Sequence, residues 1–324
     1  MKKTVSLILA LALIVMAFAG CAAQPEEEDV VIRIGGLKGP TSMGLVKVME
    51  DDETGASAND YEFTIAGSAD EVTPKLIQGE LDIAAVPANL ASVLYNNTEG
   101  AVQLLAINTL GVIYIVEKGE TVNSIADLAG KTIYATGKGS TPEYALRYIL
   151  SENGVDPDTD VTIEWKSEPT EVVSTLAAAE SGVAMLPQPF VTVAQNSVEG
   201  LRVAIDLTEA WDALDNGSML LTGVLIVRKD FAEEHPQAIA DFLEEYQAST
   251  EYVNENIAEA AQLVEKFDIV QAAIAEKAIP YCNITYIAGT DMKEPMDGYL
   301  QVLFEQNADS VGGTLPGDDF YYEG

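Results

Sequence analysis

From Val30 onward the chain repeats one pattern: a short apolar run, a break at Gly, Pro or Asn, then a stretch with helical spacing. A strand that is apolar at nearly every position must be covered on both faces. Helices placed between successive strands supply that cover. The spacing predicts strands at residues 30–34, 61–65, 81–86 and 102–107, the first stopped by Gly35-Gly36. Helices are predicted at 43–52, 68–78 and 89–95, the second opened by the capping box Ser68-Ala69-Asp70-Glu71. A second series has strands at 112–117, 131–135, 161–165, 183–186 and 201–207. Its helices fall at 124–128, 140–152, 170–179 and 190–195, and Ser140-Thr141-Pro142-Glu143 is read as a helix start. After His235-Pro236 come a long helix, a break near 254–256 and a tail helix at 292–304. The expected class is α/β, with mainly parallel sheets flanked by helices.

The chain is longer than one hydrophobic core usually fills, which favours two lobes. Gly111-Val112-Ile113-Tyr114-Ile115-Val116 resembles Gly223-Val224-Leu225-Ile226-Val227, and the pair brackets the second series. They are read as the two hinge crossings between lobes. The expected boundaries are 30–112 for the first part of lobe 1, 113–221 for lobe 2 and 222–324 for the rest of lobe 1.

Ahead of this body stand Met1-Lys2-Lys3, an apolar stretch over 5–18, and Ala19-Gly20-Cys21. This reads as a lipoprotein export signal over 1–20, cleaved before Cys21, with Phe18 where Leu is more usual. Cys21 would carry the lipid and residues 21–29 would be a flexible tether. The expected location is extracytoplasmic, anchored to the membrane. Removing residues 1–20 takes away two lysines and no acid, so the net charge moves from −35 to −37. Such a charge repels nucleic acid and anionic lipid. With Cys21 lipidated, Cys282 has no partner for an intramolecular disulfide and is expected to be a small buried filler.

Motifs in the body resemble those of type II periplasmic solute-binding proteins of ABC transporters. Leu128-Ala129-Gly130-Lys131-Thr132-Ile133 is similar to the entry to their second lobe, and Gly139-Ser140-Thr141 to the opening of the helix that follows. Gln78-Gly79-Glu80-Leu81-Asp82-Ile83, and Arg228-Lys229-Asp230-Phe231 with His235-Pro236, resemble the nitrate/taurine/aliphatic-sulfonate branch. The resemblance covers most of residues 30–250. It implies a two-lobed monomer, without cofactor, that captures a small molecule and delivers it to a permease driven by a cytoplasmic ATPase.

In open α/β sheets, ligands bind beyond the carboxyl ends of the strands, where helix N-termini present free N–H groups. The candidate residues are Lys38, Gly39, Pro40, Thr41, Ser42, Gly67, Ser68, Pro87, Ala88, Asn89 and Asn108, with Thr109 beside it, in lobe 1. In lobe 2 they are Lys138, Gly139, Ser140, Thr141, Gln188 and Pro189. The resemblance supports Ser140 and Thr141 most directly. The same hydroxyls also fit helix capping, worth about 1 kcal/mol each. Lys38 and Lys138 would approach one anion if the lobes closed. Asp70, Glu71 and Glu143 consume part of the positive potential at their helix starts. A neutral or zwitterionic heterocycle, such as a thiamine-precursor pyrimidine, therefore stands beside a nitrate-, sulfonate- or taurine-like anion. Phe190, Trp165 and Tyr281 could stack on such a ring or fill the core.

Catalytic constellations are scarce. The one histidine, His235, precedes Pro236, and there is no Gly-x-Ser-x-Gly elbow. His/Cys zinc sites are excluded by count. Gly137-Lys138-Gly139-Ser140 lacks the Ser or Thr a phosphate loop needs after its lysine. Asp156-Pro157-Asp158-Thr159-Asp160 lacks the glycine and distal glutamate of a calcium hand. No metal is expected. An enzyme on the same scaffold is the competing class, because related folds host pyrimidine and menaquinone-precursor synthesis.

Overall fold

Two sheets alternating with helices organise residues 30–324, which the computed structural model describes. The predicted signal, the tether and Cys21 lie outside the described residues. The first sheet begins with β1 (Val31–Leu37), α1 (Pro40–Met43), α2 (Val46–Thr54), β2 (Asp60–Ala66) and α3 (Ala69–Ile77). It continues through β3 (Ile83–Pro87), α4 (Ala88–Asn97) and β4 (Val102–Leu110). Two residues later the chain enters the second sheet with β5 (Ile113–Lys118) and a 3-10 turn at Ile125–Leu128. There follow β6 (Thr132–Ala135), α5 (Thr141–Glu152), β7 (Thr162–Trp165), α6 (Pro169–Ala178), β8 (Gly182–Pro187), α7 (Phe190–Ser197) and β9 (Leu201–Asp206). The short helix α8 (Leu207–Asp212) precedes the return strand β10 (Leu221–Arg228). The remainder is α9 (Lys229–Glu234), α10 (Pro236–Glu255), α11 (Ile257–Lys266), α12 (Ala272–Ala278), β11 (Ile284–Ala288) and α13 (Lys293–Gln306).

The strand orders are β11-β4-β10-β3-β1-β2 and β7-β6-β8-β5-β9. β1 pairs in parallel with β2 and β3, and β6 with β7 and β8. β10 is antiparallel to β3 and β4, β11 to β4, and β5 to β8 and β9. The expectation of mainly parallel sheets thus holds within β1–β3 and within β6–β8 and fails where β5, β9, β10, β11 and β4 join them or one another. The reason is geometric. β4 ends at the edge facing the other sheet, so β5, two residues later, starts there and must run against its neighbours.

Gly35-Gly36 does not stop β1, which runs on to Leu37. A Cβ on Gly35 would lie 2.5 Å from Leu81 Cδ1, and one on Gly36 would lie 2.2 Å from Ser42 Oγ. These glycines admit side chains hard against the strand instead of ending it. β11 and α8 were not anticipated from sequence.

One apolar cluster runs through both sheets. It joins Val86 and Ile107 of the first to Ile115 and Ile133 of the second through Leu146, Trp211, Met296, Tyr299 and Leu300. A smaller cluster, with Val172, Leu176, Leu186 and Val191, fills the space under α6 and α7.

Each sheet also buries one carboxylate at an inner strand, on the end away from the crossing. Asp82, fully buried, accepts from Arg33 N (2.9 Å), Nε (2.8 Å) and NH2 (2.6 Å), and from Arg228 NH1 (3.3 Å). Glu117 accepts from Thr121 N (2.9 Å), Thr121 Oγ1 (2.6 Å), Val122 N (3.1 Å) and Arg202 NH2 (2.6 Å). Burial works against the Glu117 charge, but these hydrogen bonds outweigh it and hold the carboxyl below its usual range.

Candidate ligand-binding site

The pairing registers place the candidate loops opposite one another. Gly223 of β10 is opposite Pro87 of β3 and Thr109 of β4, and Ile113 of β5 is opposite Pro187 of β8. Only Gly111-Val112 separates the two groups. The loop Gln188-Pro189 therefore faces the loop that opens α4, and Gln188 N donates to Val112 O at 3.0 Å.

In the first lobe, Gly39, Pro40, Thr41, Ser42, Asn108 and Thr109 are buried together. Asn108 Nδ2 donates to Thr41 O at 3.2 Å, and Thr109 Oγ1 donates to Asn108 Oδ1 at 3.0 Å. The Ser42 hydroxyl is buried without a partner among the described residues, as is that of Tyr246. Gly44 and Gly223 make room for this group. A Cβ at Gly44 would lie 2.7 Å from the Tyr246 hydroxyl, and one at Gly223 would lie 2.7 Å from Asn108 Oδ1. Lys38 turns elsewhere. Its ammonium pairs with Asp268 at 2.8 Å, in the loop between α11 and α12 of its own lobe. This pair is solvent-exposed, so it holds the Lys38 ammonium only weakly.

Gly67 is exposed and Ser68 half-buried, and Ser68 with Glu71 forms the predicted capping box. These two belong to the rim. A Cβ on Gly67 would lie 3.2 Å from Glu168 Oε1 of the second lobe and 3.6 Å from Glu71 Oε1. Two carboxylates thus flank one point on the seam.

In the second lobe, Lys138 and Gly139 are exposed, in a loop whose Gly137 and Gly139 hold φ of 82° and 75°. The predicted capping role of Ser140 is not what forms. Its hydroxyl donates back to Gly137 O at 2.9 Å, and Glu143 Oε2 accepts from Gly139 N at 2.7 Å. The tight glycine turn brings the Gly137 carbonyl closer to that hydroxyl than the helix amides. Gln188 is buried, and its Oε1 accepts from Thr192 Oγ1 at 2.9 Å. Pro189 is buried beside it, and Thr136, which the sequence reading passed over as a site residue, is buried at the end of β6.

The lobes meet where Asn89, after Pro87 and Ala88, reaches Thr141. Thr141 Oγ1 donates to Asn89 Oδ1 at 3.3 Å, and Asn89 Nδ2 donates to Ser310 O at 2.9 Å. Tyr299 of α13 donates to Thr141 Oγ1 at 2.9 Å. Nothing in the sequence marked Tyr299 or Tyr246, because each sits on the apolar stripe of a predicted helix. Burial pushes both phenols well above their ordinary range, so they stay protonated donors.

Of the aromatic candidates, Phe190 and Trp165 pack against core clusters, while Tyr281 is 58% exposed. The buried charged side chains among the described residues are Asp82 and Glu117, both remote from these loops. A groove of about 620 Å³ lies beside α5, lined by Tyr144, Arg147, Asp158 and Asn307 among others, and touches none of the candidate residues. No group of three or more His, Cys, Asp or Glu among the described residues could hold a metal ion.

Residues 51–278 match a family described as the phosphonate ABC transporter periplasmic substrate-binding protein. A binding protein of Brucella abortus strain 2308 is 25% identical over 183 residues, which is 56% of this chain and 55% of that protein. The chain thus spans about half the length of this curated relative. An ABC transporter structure from Parabacteroides distasonis is 24% identical with a TM-score of 0.75, covering 91% of this chain and 99% of that one. The periplasmic aliphatic sulphonate binding protein of Escherichia coli is 16% identical with a TM-score of 0.70, covering 90% and 95%. These two structures bear out the two-lobed solute-binding fold expected from sequence.

Proposed function

The chain belongs to the family of periplasmic substrate-binding proteins of phosphonate ABC transporters, and from that premise we propose that it captures a small tetrahedral or planar oxyanion between its lobes. Phosphonate, sulfonate and nitrate are the chemical types in view. The captured solute is handed unchanged to a permease driven by an ATPase. The observation that carries this reading is the meeting of two helix N-termini. α4 of the first lobe and α5 of the second converge on the Asn89–Thr141 contact. Helices of 10 and 12 residues bring unpaired N–H groups and the positive ends of their dipoles to one seam. α4 carries no acidic residue in its first turn, whereas Glu143 in the first turn of α5 offsets part of that helix's dipole. The proposed contacts come from Gly39, Thr41, Ser42 and Asn108 on one side and Lys138, Gly139, Ser140 and Gln188 on the other, with Gly67-Ser68 at the rim. Lobe 2 is taken as residues 113–221, and the lipid on Cys21 as the tether to the cell membrane.

A second reading is a neutral or zwitterionic heterocycle. The observation that favours it is the pair of carboxylates, Glu71 and Glu168, beside Gly67. Together with the uncharged character of the buried site residues, they soften the preference for an anion.

Native mass spectrometry of freshly purified protein, followed by calorimetry with methylphosphonate, methanesulfonate and nitrate, tests the proposal. The expected result is one retained small solute, recovered intact, and saturable binding of at least one of the three probes. Recovery of a chemically altered compound would make the protein an enzyme. Failure of all three probes with a neutral heterocycle retained would decide for the second reading.

A further inference from the structure

We infer that Tyr299, Thr141 and Asn89 form an interlobe latch that positions the second-lobe half of the site, so that these three side chains bind one another rather than the solute. The inference rests on the two-lobed reading above but not on the identity of any ligand. Three observations lead to it. First, the hydroxyl protons of Thr141 and Tyr299 and one N–H of the Asn89 amide are already engaged. The single hydroxyl proton of Thr141 goes to Asn89 Oδ1 at 3.3 Å, and its oxygen accepts from Tyr299 at 2.9 Å. The Asn89 amide donates to Ser310 O at 2.9 Å. Second, all three side chains are fully shielded from solvent, so each lost partner leaves a buried polar group unsatisfied. Third, the relay spans the lobes. Asn89 opens α4, which packs on the first sheet, Thr141 is the first residue of α5 on the second, and Tyr299 sits on α13, which packs against α5.

The surroundings explain why this contact is a fixed point. Trp211 of α8, on the chain's way back to the first sheet, lies 4.9 Å from Tyr148 of α5 and 5.9 Å from Tyr299 between ring centroids. The apolar cluster shared by both sheets is continuous around them. Elsewhere the lobes also meet where α12 packs against α7. Tyr114 of β5 reaches Tyr281 O at 3.5 Å, exposed Lys277 reaches Asn196 at 3.3 Å, and Gly67 approaches Glu168 at the rim. The latch hydrogen bonds are buried within the shared apolar core, whereas the Gly67–Glu168 approach lies at the exposed rim. Tyr299 acts as a positioning residue. By holding the Thr141 hydroxyl it fixes the aim of the α5 N-terminus toward the first lobe.

The test reads geometry and needs no ligand. In protein spanning residues 22–324, Glu62→Cys on β2 and Thr162→Cys on β7 are spin-labelled, both positions being exposed. The interlobe distance distribution and the hydrogen exchange of residues 143–146 are then compared between this protein and its Tyr299→Phe form. The expected result is a broader distribution and exchange faster by about tenfold, the scale of one lost buried hydrogen bond. Leu303→Ala, a fully buried change on the same helix, serves as the control for mere destabilisation. It is expected to lower the melting temperature while leaving both readouts in place. Tyr299→Phe behaving like Leu303→Ala overturns the latch, whatever solute the protein binds. Should Tyr299→Phe not fold, Thr141→Val removes the same link at nearly constant volume and is read in the same way.

Discussion

Replacing Asp82 by Asn removes one charge and little volume from the start of β3, an inner strand of the first sheet. The native carboxylate is fully buried and accepts from Arg33 N, Nε and NH2 and from Arg228 NH1. An asparagine offers one oxygen and turns an amide donor toward guanidinium donors, so at least one of these bonds becomes a donor–donor clash. Breaking a buried ion pair from one side costs about 3–5 kcal/mol. That figure needs a discount here, because the Arg33 and Arg228 side chains are 36% and 20% exposed and can recover water. We expect a loss of about 2–3 kcal/mol, or about 3–5 °C in melting temperature for a protein of this size. Urea unfolding followed by circular dichroism at pH 7 measures it. Solute affinity should stay within about twofold, because Asp82 sits before β3 and the site lies beyond its far end. A loss below about 0.5 kcal/mol would refute the reasoning and make the Asp82 cluster a surface pair of little worth.

Three further outcomes are expected. Burial raises the Cys282 thiol well above its ordinary range and leaves it 0% exposed; in protein spanning 22–324 it should react with a disulfide reagent only at the rate of unfolding, and rapid native labelling would contradict its packing. Glu117 is held below its usual range, so its stabilisation is full above the unfolded value of about 4.3 and is lost as pH falls through the lower folded value. Glu117→Gln should accordingly be less stable than the native chain at pH 7 and converge with it in acid, as thermal scans across pH would show. Gly223→Ala puts a methyl 2.4 Å from Thr41 Cγ2, with an expected cost of about 1–3 kcal/mol and a disturbed environment for the adjacent Asn108, measurable by unfolding and by solute titration.

The alternation of β and helical runs was legible because both periods are local, and it located most strands to within a few residues. Direction was not. β5 and β10 were read as the crossings between lobes, but their apolar pattern carries no sign of the direction in which they oppose their neighbours. Gly35-Gly36 reads as punctuation in one dimension. In three dimensions it is clearance for Leu81, Val72 and Ser42. β11 escaped notice for another reason. Its five residues pair irregularly with β4 and carry no alternation strong enough to stand out from the helices around them.

The site shows the same division between position and role. Capping chemistry and glycine loops placed Thr41, Ser42, Asn89, Asn108, Thr141 and Gln188 at the strand ends, and they are all buried there. What one-dimensional reasoning does not supply is which partner each side chain takes. Ser140 and Thr141 are adjacent and chemically alike, yet one hydroxyl turns back to Gly137 and the other crosses to Asn89. The difference arises because the extended backbone of Ser140 precedes the helix, while Thr141 begins it and lies under Tyr299. Lys38 makes the point with charge. A lysine in a site loop suggests an anion, but Asp268, 230 residues away in sequence, is within 2.8 Å and pairs with it. Under the proposed reading, recognition at this seam draws on helix ends and polar side chains, with Lys138 beside them, and on how the lobes are held against each other. An affinity that responds to the Tyr299 contact as strongly as to the loop residues themselves would follow directly from that arrangement.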